Sequence, residues 1–239
     1  MAFREKIDYC GLSKNTNGAL KVLSTEESKA TQEATAMGEN GDIVASEVFG
    51  ETESPTCEYA VAKEWTGNIV LGSVNEVLDD DGNTHYYCLT EVSLGSSAGG
   101  YPTLSAKCEG VPDNRKSCTY TIQNVKLLPK CHSQILLDGF TYSGEGVHLT
   151  ECTATISANF NDSTKDGNRL AWDVTEGQIT MSCTFVSTKG NKPVVNFKDN
   201  TWIMSSPLTC SNPDSNFPTY SCEVHHYLTK DVEANTPQG

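Results

Sequence analysis

The chain lacks the local signatures on which many enzymes are built. It has no GxSxG elbow, no HExxH, no P-loop and no GxGxxG. No CxxC occurs, and Cys131-His132 and His225-His226 cannot each chelate as a unit, because neighbours on a strand point to opposite faces. Gly95 to Gly100 is glycine-rich but precedes a strand, so its amides do not converge on a phosphate. Asp79-x-Asp81-x-Asn83 begins like a calcium loop, but Thr84 stands where glycine is required and no Glu follows at position twelve; a hairpin turn is the better reading. We expect no catalysis, no cofactor and no metal. Long apolar runs are also missing. Stretches such as Ile69 to Leu71 are too short to span a bilayer, and the opening MAFREKIDYC has no apolar core of a signal peptide. No membrane association is expected.

Positive charge is scarce, with 17 Lys and Arg against 31 Asp and Glu, a net of −14. The imbalance is lopsided: residues 1–110 hold 7 against 18 (−11), and residues 111–239 hold 10 against 13 (−3). Such a surface repels phosphate, so specific nucleic-acid binding is disfavoured. A surface past which nucleic acid slides without sticking is compatible with it.

Cysteine, by contrast, is plentiful, with ten residues. Their phase places them in a core. Cys183 shares a period-two face with Ile179, Met181 and Phe185, and Cys152 with Ala154, Ile156 and Phe160. Cys57, Cys88 and Cys222 follow the same rule. Buried free cysteine acts as a small hydrophobe, so reduced core thiols in a reducing compartment are expected.

A repeat organises the chain. Tyr101-Pro102-Thr103-Leu104-Ser105 matches Phe217-Pro218-Thr219-Tyr220-Ser221 at an offset of 217 − 101 = 116 residues. Each copy follows a polar loop, and each proline opens a strand, where its missing N–H is tolerated. Short strands rich in Thr, Val and Tyr, separated by turn signals, recur along the chain. The expected fold is all-β and mostly antiparallel: two tandem small β-sandwich or barrel domains with at most one short helix each. The expected boundaries are an arm at 1–20, a first domain at 21–110, a linker at 111–117, a second domain at 118–229 and a tail at 230–239. Two hairpin tips stand out: Gly38, Glu39, Asn40, Gly41 and Asp42 in the first half, and Lys165, Asp166, Gly167 and Asn168 in the second. Residues 23–36 read as strand and not helix, because no apolar stripe recurs at helical spacing. Trp65 to Asn68 reads as a turn.

The hairpin from Ala34 to Ala45 and the two Pro-Thr-x-Ser strands make the chain resemble a duplicated tail-tube-type domain of long-tailed bacteriophages. The resemblance covers residues 20–110 and 118–228, with a longer insertion at Cys118–Gly144 in the second half. It implies a structural virion protein, assembled in the host cytoplasm, whose partners are itself and other tail proteins. Copies would form rings that stack head to tail around an acidic lumen through which DNA passes. Two domains per chain would give a pseudo-sixfold trimer, or a hexamer with the extra domain outside. The hairpin tips would be lumen or inter-ring contacts. Two other readings stand beside it: a two-domain β-sandwich binding module, such as an adhesin or carbohydrate-binding protein with Trp65 or Trp202 stacking on sugars, and an adaptor or baseplate component capping the tube.

Overall fold

A computed structural model describes residues 6–37, 40, 42–97, 100–115, 117–129, 137–165 and 168–231. The fold is all-β, with every strand pair antiparallel and no helix among the described residues. The strands form two weakly separable clusters. In the first half, β1 (Leu20–Glu26) and β2 (Lys29–Met37) run out, and β3 (Ile43–Glu53) and β4 (Thr56–Val61) return. Then come β5 (Trp65–Leu71), β6 (Val74–Leu78), β7 (Thr84–Ser97) and β8 (Thr103–Val111). The second half holds β9 (Tyr120–Leu127), β10 (Phe140–Ser143), β11 (Val147–Lys165), β12 (Asn168–Ser187), β13 (Val194–Phe197), β14 (Trp202–Cys210) and β15 (Thr219–Tyr227).

One sheet dominates, with the order β1-β4-β8-β7-β11-β12-β15-β14 and β6 added alongside β7. It crosses the midpoint of the chain where β7 pairs with β11, from Glu91 opposite Ser157 to Ser97 opposite Glu151. A second link between the halves is the pair β5–β9. β2–β3 and β10–β13 form the remaining two-stranded sheets.

Alternation explains why these residues form these strands. β12 buries Trp172, Val174, Ile179, Met181, Cys183 and Phe185 on one face. The phase slips once, at the irregularity between Ser157 and Asn159, where Glu176 takes a left-handed φ of 56°. Gly177 follows, beneath the Tyr120 ring; a Cβ there would lie 2.4 Å from that ring. Gly177→Ala is therefore expected to cost about 1–3 kcal/mol by overpacking, read as a lower urea midpoint with an unchanged m-value.

Both prolines of the repeat act as expected. Pro102 and Pro218 are buried, and β8 and β15 begin at the next residue. Residues 23–26 and 29–36 are strand, as expected, joined by Glu27 and Ser28. Trp65 to Asn68 is not a turn but the start of β5, paired with β9 through a bulge between Gly67 and Ile69. Glycine is needed there because the Trp65 indole lies across it, 2.7 Å from where a Cβ would sit. The N-terminal arm is irregular but not loose: Tyr9 and Cys10 are buried, and Asp8 accepts hydrogen bonds from the Gly11 and Ser13 amides and from the Tyr59 hydroxyl.

Eight of the nine described cysteines are buried, as their phase requires, and Cys210 is exposed. Five of the buried ones meet in two places. Cys10 Sγ lies 2.9 Å from Cys108 Sγ. Cys152, Cys183 and Cys222 stand directly opposite one another across β11, β12 and β15. Cys131 and His132 lie outside the described residues.

Candidate assembly edges and hairpin tips

The expected site residues sit on two long hairpins. The arms β2 and β3 lead to one tip, where Asn40 and Asp42 are exposed. The arms β11 and β12 lead to the other, where Lys165 and Asn168 are paired and exposed. Gly38, Glu39, Gly41, Asp166 and Gly167 lie outside the described residues. The apolar residues flanking the tips face solvent: Met37, Ile43 and Leu170 are each more than half exposed.

The pairings give the sheet two unlike ends. β8 starts opposite the end of β4, and β15 starts opposite the end of β12, so the loops before Pro102 and Pro218 share one end. The long hairpins leave from the other. Each loop presents an aromatic residue, Tyr101 at 64% exposure and Phe217 at 58%.

Among the described residues, β1 and β14 end the main path of the sheet, and β6, paired only with β7, is a shorter third edge. Leu23 on β1 and Ile203 on β14 are half-exposed, at 52% and 49%. An uncovered margin offers a row of backbone groups to another strand. On β14 the Ser211 amide donates to Thr219 O at 3.0 Å, toward β15. By alternation from Ser211, the Cys210 amide faces outward, while a register irregularity between Ser206 and Thr209 breaks the pattern just before it. Where β1 runs on into β2 in the same register, the Ser28 carbonyl accepts from the Ser54 amide, so residues 25, 27 and 29 face outward.

Sequence reasoning missed one residue that binds the halves together. Arg169, on β12, donates to Glu109 at 2.9 Å, to Asp162 at 2.6 Å and to the Gly110 carbonyl, and its guanidinium lies 4.8 Å from the Phe160 ring centre. The Arg169 and Glu109 side chains are only 12% and 11% exposed. Glu109 also accepts from the Ser54 hydroxyl. No motif signals this cluster, since Glu109 lies 60 residues from Arg169.

Beside it opens a cleft of about 360 Å³, lined by Glu51, Glu53, His85, Tyr87 and Arg169 among others. Its groups are mutually paired. Burial works against the charge of Glu53, but hydrogen bonds from Lys29 and Tyr87 outweigh it and hold the carboxyl below its usual range. Burial, and then the bond to Glu53, pushes the Tyr87 phenol up. Asp79 accepts from the Asn83 side chain, the Asn83 amide and the Asp81 amide, which closes the β6–β7 turn and pulls its carboxyl down. Trp65 and Trp202 are buried, at 8% and 5%, so neither offers a face to a sugar.

These shifts set a pH profile. Glu53 and Asp173 sit below their unfolded values; the Asp173 carboxyl is held there by Ser117 and the Val174 and Cys118 amides despite its burial. Their contribution is present above the unfolded carboxylate value of about 4 and is lost as pH falls. Burial raises Tyr9, Tyr59 and Tyr87, and pushes Cys88 up to about 12. Their contribution is full below the unfolded thiol and phenol values, about 8.5 and 10, and is lost as pH rises past them. The melting temperature is expected to be flat from about pH 5 to 8 and to fall on both sides, as differential scanning fluorimetry across pH would show.

Compared with protein-family models and with curated proteins, the chain matches none.

Proposed function

We propose that the chain is a non-catalytic structural protein that joins copies of itself through the margins of its main sheet, in the manner of a bacteriophage tail-tube subunit. The observation that carries this is the β7–β11 joint, where the sheet already passes from one half to the other, while β1 and β14 each pair with a single strand among the described residues. Acidic charge, −14 overall, suits a bore that lets a polyanion pass.

The support is strongest if the halves are one structural unit used twice. Both follow the same order: β1-β4-β8-β7 first and β11-β12-β15-β14 second. Val22 faces Tyr59, a bulge follows, and Thr25 faces Cys57; likewise Leu149 faces Phe185, a bulge follows, and Cys152 faces Cys183. Cys57 then faces Ala106, as Cys183 faces Cys222. The Ala62 amide donates to Ala19 O, as the Thr188 amide donates to Gly146 O. Irregularities seldom coincide by chance, because bulges are conserved devices. On this reading β2–β3 with β1–β4 is the counterpart of the β11–β12 hairpin, and 21–110 and 118–229 are the two units.

A second reading is favoured by the exposed aromatics. Tyr101 and Phe217 at one end of a two-lobed β scaffold fit a binding module that stacks on sugar rings. An adaptor that caps a tube uses the same margins once and does not repeat. Sedimentation velocity over a concentration series separates these readings: a tube subunit grows into large particles, an adaptor stops at one closed size, and a binding module stays monomeric and responds to a glycan panel.

A further inference from the structure

We infer that β14 of one copy pairs antiparallel with the margin of the next that runs from β1 into β2, in one definite register, with Cys210 opposite Glu27. This rests on the self-association proposed above and specifies its contact. The template is internal. In the β7–β11 joint Leu94 faces Ala154, Ser96 faces Cys152 and Val92 faces Ile156. The matching strand pairs place Leu94 with Cys210, since these face Leu104 and Tyr220 in turn. They place Cys152 with Thr25, since these face Cys183 and Cys57. Carried across, the joint sets Cys210 against Glu27, Asn212 against Thr25 and Leu208 against Lys29.

The backbone agrees with this transfer. The Cys210 amide faces outward on β14, and the amides of residues 25, 27 and 29 face outward on the margin that runs from β1 into β2. A slip of one residue would set outward groups against inward ones. The margins offer no like-charge clash either: Glu27 and Lys29 meet Cys210 and Leu208, and no charged residue lies between Leu208 and Pro213. The occupant of each margin is thus a second copy. The contact is heterologous, so it closes into a ring when the rotation between copies permits.

Cys210 is exposed, which makes it a native reporter. Glu27→Cys places a second thiol opposite it on the neighbouring copy. A short bis-maleimide added to assembled protein should link E27C into covalent oligomers at least about tenfold faster than the E27C/C210S control, because the joint holds the two thiols at high effective concentration. K21C lies six residues up the strand, about 20 Å away, and should not link. T25C/N212C in a C210S background should link as E27C does, which covers the case in which E27C fails to fold. If particles form but neither pair links, or K21C links instead, the register is wrong while self-association stands. If the wild type forms no particles under any condition, the proposed function and this contact both fall.

Discussion

Cys210→Pro should leave the monomer folded and abolish assembly. The Cys210 amide points away from β15, so the monomer loses no ladder bond, and proline is tolerated at such a margin. In a joint between copies the same change removes a cross-strand donor and sets the ring against the incoming strand. Leaving the facing carbonyl unpaired costs about 1–3 kcal/mol, a weakening of roughly ten- to a hundredfold at each contact. Ser211→Pro gives the contrasting result. Its amide donates to Thr219 O within the chain, so its loss should lower monomer stability by about 1–3 kcal/mol. Circular dichroism melts and sedimentation velocity on the two variants read both effects.

Arg169→Ala should be the most damaging single truncation outside the apolar core. It removes one partner from a nearly buried ion pair and strips Glu109 and Asp162 of their shared cation. Breaking such a pair costs on the order of 3 kcal/mol, because the remaining charge stays buried. Lys107, at 3.2 Å from Glu109, offsets part of this. Arg169→Lys should recover only part, since an ammonium cannot reach Glu109, Asp162 and the Gly110 carbonyl together. Urea titration at pH 7 gives the midpoints. Because Arg169 ties β12 to β8 and β11, the loss should fall on the coupling of the halves, seen as a broader, non-coincident transition by two probes.

Much of the strand inventory was legible because alternation is local. The cysteines announced buried faces through their neighbours two residues away, and Pro102 and Pro218 marked strand starts through a missing donor. Pairing between distant strands was not legible. Nothing near Glu91–Ser97 or Glu151–Ser157 says that these segments meet, since register there is set by twist and by surrounding strands. Trp65–Asn68 misled for a local reason: Gly67 looks like a turn residue, but it makes room for an indole. Of the expected tip residues, Asn40, Asp42, Lys165 and Asn168 are exposed where hairpin tips belong. The margins that carry the proposal were invisible, because an edge exists only once the order of the sheet is known. Arg169 escaped for the same reason, its partner Glu109 being brought to it by strand pairing across 60 residues.

Negative-stain imaging of the purified full chain, taken up to its solubility limit, tests the central claim most directly. Rings or stacked tubes in the wild type, and dispersed single particles in C210P, are the expected result. Isolated single molecules in the wild type at every concentration would contradict it.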